Sequence, residues 1–358
     1  MNWSNENKFI EGTYLNFKLK EKIAAFDLDG TLIKVKSGSK FPKDENDWVF
    51  FNDNVIEKLK DLNKEKYCLV IISNQAGISK GKQDINQWKN KIELILKKVN
   101  LPFKVFASID NDVFRKPYKT LWNLLISNNE IRIESFYCGD ACGRKNDFSD
   151  TDYKFSLNCD IKFYTPEELF AGSKDNNNYQ VTYNVDLKLI EKINKTKIDN
   201  FKFVKKDMII MTGYPGSGKS TFVTKYLESI GYKRINMDTL KTKAKCIKEC
   251  EKQLDLGNSI VIDNTNPNSD TRKIYIEMAI KKKYNIKSIE MICDQNLAYH
   301  TAHYRCYKSQ GKIKSIPMLV YHKYKKIYQE PNKNEGFNEI IKINFCPPSD
   351  LDYYDYYY

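Results

Sequence analysis

Short, unbroken apolar runs alternate with amphipathic stretches along most of the chain. Ile23-Ala24-Ala25-Phe26, Tyr67-Cys68-Leu69-Val70-Ile71-Ile72, Ser135-Phe136-Tyr137-Cys138, Met208-Ile209-Ile210-Met211 and Ser259-Ile260-Val261-Ile262 lack the polar alternation of a half-exposed strand. Such runs read as parallel strands buried on both faces. Between two of them, Asp84 to Val99 sets Ile85, Trp88, Ile92, Ile95, Leu96 and Val99 on one helical face, so Trp88 reads as core rather than as a ligand platform. Strands alternating with helices through both halves predict an α/β protein of two doubly wound domains, and 358 residues leave room for two cores. The predicted division is a first domain over 1–172, a polar connection over 173–206 with one short helix or strand inside it, and a second domain over 207–347. A Tyr/Asp-rich tail over 348–358 is expected to be disordered, with tyrosines stacking on bases as the alternative. About twenty residues precede Ile23–Phe26, the first predicted strand, and no internal repeat is found.

The run Gly213-Tyr214-Pro215-Gly216-Ser217-Gly218-Lys219-Ser220 fills every fixed position of G-x-x-x-x-G-K-[ST] and follows directly on an apolar strand. Gly213, Gly216, Ser217 and Gly218 let backbone N–H groups turn inward around a β-phosphate. Lys219 can reach the β- and γ-oxygens, Ser220 is placed to hold Mg²⁺, and Thr221 opens the helix that follows. The expected ligands are ATP, as co-substrate, and Mg²⁺. A chance glycine-rich turn is the alternative, and the strand entry and helix exit argue against it.

Far upstream, Ile23–Phe26 leads into Asp27-Leu28-Asp29-Gly30-Thr31-Leu32. The first carboxylate can attack phosphorus and bind Mg²⁺. The second can protonate a leaving oxygen while its backbone carbonyl completes the metal site. The pattern resembles the haloacid dehalogenase phosphatases, in which the first aspartate is transiently phosphorylated. That resemblance implies Ser73 as a phosphate holder, Lys116 as the neutralising cation and Asp140 as the late metal acid. Each lies at or just after the carboxyl end of a predicted strand, where ligand sites of open α/β sheets converge. Asp147, Asp150 and Asp152 are further candidates for supporting the metal, and their order is left open.

Taken together, Asp27–Ile33, Phe41-Pro42, Asp47-Trp48, Ser73-Asn74-Gln75, Arg115-Lys116-Pro117, Gly139-Asp140-Ala141, Asp147-Phe148-Ser149 and Thr165–Glu168 resemble, in that order, the animal-type polynucleotide kinase 3′-phosphatases. The kinase half is similar as well: Gly213–Phe222, Asn236–Leu240, Val261–Pro267 and Glu335-Gly336-Phe337. The resemblance spans roughly residues 8–346. It implies a haloacid-dehalogenase-like phosphatase followed by a P-loop kinase that converts 3′-phosphate and 5′-hydroxyl DNA ends into ligatable ones. It also implies Asp238 as the base for a 5′-hydroxyl and Arg305 as a lid arginine. Asp263 reads equally as a Walker-B-type acid or as a helix cap. The family's N-terminal forkhead-associated domain, which docks phosphorylated scaffolds, has no counterpart ahead of Ile23. His303 stands where the lid helix would carry another arginine, so Arg272 or nearby lysines are the expected substitutes for triphosphate charge. Met237 replaces a basic residue before Asp238. RNA end repair and a fusion of small-molecule phosphatase and kinase are the competing readings. The intact acids and lysines oppose a binding module with decayed sites.

Composition adds little to this. Lys+Arg 59 against Asp+Glu 46 gives +13, a balance that favours polyanionic partners. The nine cysteines and three histidines show no paired metal spacing, so reduced thiols in an intracellular compartment are expected. No signal core or membrane-length apolar run is present. The reading is therefore an intracellular, soluble monomer acting on DNA ends or RNA, without membrane contact.

Overall fold

The computed structural model describes residues 1–6, 8–127, 134–173, 179–182, 202–348, 353 and 356–358. The chain divides into two compact units. The first is Met1–Asn184 with Cys306–Lys314 and Asp355–Tyr358, and the second is Val185–Arg305 with Ser315–Tyr354.

The first unit carries β1 (Asn2–Glu6), β2 (Phe9–Tyr14), β3 (Ile23–Phe26), β4 (Ile33–Lys34), β5 (Val49–Phe50), β6 (Cys68–Asn74), β7 (Phe103–Ser108), β8 (Phe136–Cys138) and β9 (Lys162–Tyr164). Its main sheet runs β1-β2-β7-β6-β3-β8-β9, parallel from β7 to β9. Its helices among the described residues are, in chain order, α1 (Val55–Lys64), α2 (Ile85–Val99), α3 (Thr120–Ile126), α4 (Thr151–Cys159) and α5 (Pro166–Ala171). Ala24, Phe26, Leu69 and Ile71 face Leu59 of α1, Trp88 and Ile92 of α2 and Phe170 of α5. Their neighbours Ile23, Ala25, Val70 and Ile72 face Leu121 and Trp122 of α3 and Phe155 of α4. Both faces of the sheet are thus covered, which is why β3 and β6 read as unbroken apolar runs. Trp88 lies in the core as expected.

The expectation that Ile23–Phe26 is the first strand is corrected. Two strands precede it: β1 pairs antiparallel with β2, and β2 pairs antiparallel with β7. Asn2-Trp3-Ser4-Asn5-Glu6 is too polar to show as a strand, and what anchors it is distant in sequence. Trp3 packs against Trp88 with ring centroids 6.0 Å apart, and its indole N–H donates to Glu93 at 2.7 Å.

The second unit holds β10 (Asp207–Thr212), β11 (Lys233–Ile235), β12 (Ile260–Ile262), β13 (Asn285–Ile292) and β14 (Glu339–Asn344), all parallel in the order β11-β12-β10-β13-β14. Its helices are α6 (Lys219–Phe222), α7 (Met237–Leu240), α8 (Lys243–Asp255), α9 (Ser269–Lys281), α10 (Gln295–Lys308, as far as Arg305 in this unit) and α11 (Met318–Ile327). Met208 and Ile210 of the central strand pack on Cys246 and Cys250 of α8 and on Tyr275 and Ile276 of α9. Ile209 and Met211 pack on Phe222, Val223 and Leu227.

Two expected boundaries shift. Residues 174–178 and 183–201, most of the expected connection and its short element, lie outside the described residues. Tyr179–Thr182, however, belong to the first unit: Gln180 N donates to the Cys142 carbonyl at 3.1 Å, Thr182 N and Oγ1 donate to Asp150 at 2.6 and 2.8 Å, and the Tyr179 hydroxyl donates to Glu168 at 2.5 Å. The first unit therefore runs beyond 172. At the other end, residues 349–352, 354 and 355 lie outside the described residues, but Tyr353 and Tyr356 are buried. Tyr356 stacks on Tyr307 with centroids 4.6 Å apart, and Asn158 exchanges two hydrogen bonds with the Tyr357 backbone, each 2.7 Å. For these residues packed aromatic surface replaces the expected disorder.

Candidate active sites

Parallel strands bring their carboxyl ends to one edge of a sheet, and in the first unit β3, β6 and β8 deliver the site there. Asp27 follows β3, its N–H held by the Cys138 carbonyl at 2.9 Å. Gly30 adopts φ +82, and a Cβ there would stand 2.4 Å from Asp140 Oδ2. Both the left-handed turn and the close approach of Asp140 therefore require glycine.

Lys116 organises the centre. Its buried ammonium donates to Asp27 at 2.8 Å, Asp152 at 2.7 Å and the Tyr137 hydroxyl at 2.5 Å, which uses all three of its protons. Tyr137 in turn donates to the Ile72 carbonyl at 2.8 Å. Asn74 grips the backbone of Lys116 from both sides, accepting its N–H at 2.9 Å and donating to its carbonyl at 3.3 Å. Burial opposes the charge on Lys116, but Asp152 and Asp27 outweigh it and raise its pKa. Burial, against the pull of Lys116, raises Asp27 to about 6. Burial together with repulsion from Asp152 and Asp27 raises Asp140 to about 8.

Carboxylate oxygens of Asp27, Asp140 and Asp152 all lie within 4.8 Å of one another. Three hard oxygen donors held this close together are a donor set suited to a Mg²⁺-like cation. The geometry also orders the three supporting acids. Asp147 is occupied by Arg144 and by the Cys142 and Arg144 N–H groups. Asp150 accepts from Thr182 and pairs with Lys154. Only Asp152 joins the cluster. Asp29 keeps its side chain outside the three, where Gln75 donates to Oδ2 at 2.8 Å and Lys91 to Oδ1 at 3.1 Å. Ser73, buried, accepts from Gln75 at 2.9 Å.

Sequence reasoning missed Tyr137 and Lys91. The signal for Lys91 was a cation three residues after Trp88, on the apolar face of α2. For Tyr137 it was a hydroxyl inside a strand with no solvent-facing side.

In the second unit, Gly216 sits at φ +81, and a Cβ there would meet the Ala298 carbonyl at 2.2 Å. Gly213 and Gly218 also have positive φ. Lys219, buried, donates to the Gly213 and Tyr214 carbonyls at 2.9 and 2.5 Å, and burial lowers its pKa to about 8, opposed by Asp263. Ser217 Oγ accepts from Lys219 at 3.4 Å. Ser220 is half-buried beside the loop and Thr221 faces solvent. Asp238 and Arg305 are exposed, and both act electrostatically on Lys219. The cap of α7 is Asn236, whose side chain accepts the Thr239 N–H at 3.2 Å, so Asp238 is not spent on capping.

Asp263 caps no helix either, since Asn268 caps α9. Its Oδ2 accepts from Arg234 at 2.8 Å and from Asn236 at 3.2 Å, while Oδ1 is buried without a partner among the described residues. That orphaned oxygen suits a Walker-B-type acid. Asn266 donates to the Met211 carbonyl at 2.8 Å and the Thr265 carbonyl accepts from Gly213 N at 3.3 Å, so the Asp-Asn-Thr-Asn-Pro run braces the loop's entry strand.

Of the expected substitutes for lid charge, Arg272 is not available. Arg272 is fully buried and bidentate to Glu335 at 2.7 Å on both nitrogens, with further bonds to the Asn266 and Gln329 carbonyls. His303 is also buried, its Nε2 against the Ile316 carbonyl at 3.2 Å. Glu335→Ala should therefore act on stability: leaving Arg272 buried without its carboxylate should cost about 3–5 kcal/mol. Thermal unfolding of the full chain should show the loss, and an unchanged melting profile would contradict it.

A family model described as polynucleotide kinase 3 phosphatase matches residues 22–170, and one described as an AAA domain matches residues 208–249. The two models thus fall one in each α/β unit, a polynucleotide 3′-phosphatase-type unit followed by a P-loop unit, each on a largely parallel sheet. It is 36% identical over 360 residues to the bifunctional polynucleotide phosphatase/kinase of Schizosaccharomyces pombe, an alignment covering 99% of this chain and 88% of that protein. It is also 30% identical to the polynucleotide 3′-phosphatase of Saccharomyces cerevisiae, over 42% of this chain and 87% of that protein. With the polynucleotide 3′-phosphatase of Arabidopsis thaliana it shares 35% identity, over 43% of this chain and 24% of that one. The chain belongs to the bifunctional polynucleotide phosphatase/kinase family. No helix among the described residues is long and apolar enough to cross a membrane.

Proposed function

We propose that this protein heals nucleic-acid ends, removing 3′-phosphate and phosphorylating 5′-hydroxyl termini of DNA with ATP and Mg²⁺ so that the ends can be ligated. The observation that carries the reading is the presence in one chain of both constellations, Asp27 with Lys116 and Asp152, and Lys219 with Asp263 and Asp238.

In the first reaction an Asp27 carboxylate oxygen attacks phosphorus and the bond from phosphorus to the 3′-oxygen breaks. Asp29 gives that oxygen its proton, then takes one from the water that hydrolyses the aspartyl phosphate. Lys116 and Ser73 hold the phosphate oxygens. Asp27, Asp140 and Asp152, with the Asp29 carbonyl, would hold the cation, whose bound form supplies charge neutralisation. In the second reaction Asp238 accepts the 5′-hydroxyl proton, and Lys219 and Arg305 stabilise charge on the transferred phosphoryl group. Gly213, Gly216, Ser217, Gly218, Ser220 and Thr221 cradle the nucleotide.

A polynucleotide rather than a small metabolite is favoured by exposed lysines on the loops that follow β4, β6 and β8, including Lys36, Lys40, Lys80, Lys82 and Lys145. Each phosphate neutralised there releases counterions, so log affinity for a 3′-phosphorylated oligonucleotide should fall with log salt at about 0.7–0.9 per contact, for roughly three or more contacts. The test is a nicked duplex bearing 3′-phosphate and 5′-hydroxyl, the same lesion in RNA, and a free mononucleotide 3′-phosphate, each across a salt series. Preference for the RNA lesion would reassign the substrate. Equal, salt-independent turnover of the mononucleotide would overturn the polynucleotide reading.

A further inference from the structure

Lys91 is 3% exposed and sits on the apolar face of α2 among Trp88, Ile92 and Ile95. A lysine seldom occupies such a place, because an ammonium withdrawn from water is costly unless it is paired. Its partner among the described residues is Asp29, whose Oδ1 accepts from Nζ at 3.1 Å. Gln75, itself buried, takes the other oxygen at 2.8 Å and is tied to Ser73 at 2.9 Å. Two donors fixed from opposite elements, one from α2 and one from the loop after β6, set the rotation of the Asp29 carboxyl group. Asp29 is still 44% exposed on its open side, where a substrate must meet it.

The geometry points to Lys91 as a positioning residue for Asp29: it reaches up through the core to hold the proton-donating carboxyl group in line with the leaving 3′-oxygen. Without it, Asp29 keeps only the Gln75 hydrogen bond at Oδ2 and can rotate away from that oxygen. The inference rests on the reading of Asp29 as the acid of the phosphatase reaction.

A positioning role predicts sensitivity to the leaving group. A sugar alkoxide needs a proton to depart, whereas p-nitrophenolate leaves without one. In single-turnover quench experiments on the full chain, Lys91→Met should slow cleavage of a 3′-phosphorylated oligonucleotide by at least about tenfold, part of the roughly 10²–10⁴ that general acid–base catalysis supplies. KM should stay within about threefold, and release of p-nitrophenolate from its phosphate ester should change by less than about threefold. In an Asp29→Asn background the same substitution should add almost nothing, because the group it positions has lost its proton. Lys91→Gln, also uncharged, is measured alongside, and 5′-kinase turnover and melting report that either variant is folded. Equal slowing with both substrates, or full additivity with Asp29→Asn, would make Lys91 merely structural and overturn the inference. Folded Lys91 variants indistinguishable from wild type overturn it alone. A wild-type chain that releases phosphate from neither substrate overturns the phosphatase reading beneath it.

Discussion

Asp27→Asn should abolish 3′-phosphatase activity, lowering turnover by on the order of 10⁴-fold or more, while 5′-phosphorylation by the same preparation stays within about twofold of wild type. Asparagine is isosteric, so β3 and its burial are untouched, and the hydrogen bond from Asp27 N to Cys138 is a backbone contact. What disappears is the proposed nucleophile. The amide cannot attack phosphorus, and it removes one of the two carboxylates that neutralise Lys116. Because Asp152 still pairs with Lys116 at 2.7 Å, the ammonium is not stranded and the first unit should remain folded. Phosphate release from a 3′-phosphorylated oligonucleotide and label transfer to a 5′-hydroxyl oligonucleotide, measured side by side, test this. Loss of both activities in a folded protein would contradict the assignment of two separate sites, and retention of a tenth of the phosphatase rate would exclude Asp27 as nucleophile.

How much of this was legible beforehand depended on whether a residue's role was local or relayed. The phosphate loop and the Asp27–Gly30 turn are local, because their chemistry needs fixed spacing along a single strand–loop junction, and spacing is what a sequence displays. Buried parallel strands were legible for a similar reason, since a strand covered on both faces has no polar register to hide in. Relayed roles were not. Asp147, Asp150 and Asp152 fall within six residues, and nothing in their order says that Arg144 engages the first, Lys154 the second and Lys116 the third. Arg272 looked available for phosphate because its partner Glu335 lies 63 residues away. β1 escaped notice because its stability comes from pairing and from Trp3 rather than from its own propensity. Tyr353 and Tyr356 escaped because a repetitive tail carries no periodicity, whatever surface it covers.

Asp238→Ala separates chemistry from binding in the second unit. Asp238 is exposed in the first turn of α7, with no side-chain hydrogen bond among the described residues, while Asn236 supplies the cap. Removing its carboxylate should therefore leave the melting temperature unchanged, whereas loss of a true cap would cost about 1 kcal/mol. In the proposed kinase site the nucleotide is held elsewhere, by the backbone of Gly213–Gly218 and by Lys219, so affinity for ATP near neutral pH should change little. The 5′-hydroxyl, by contrast, has lost the group that takes its proton, and turnover should fall by roughly 10²–10⁴-fold. The field of Asp238 also favours the charged form of Lys219, which burial lowers to about 8. The pKa of Lys219 should therefore drop further in the variant. With Lys219 of the nucleotide-free site losing its proton at lower pH in the variant, ATP binding should weaken as pH rises past 8 sooner than in wild type. ATP titration and steady-state kinase rates between pH 6.5 and 9, with a thermal melt, answer all three points. A variant with normal turnover and a lowered melting temperature would make Asp238 structural and leave the kinase without its base.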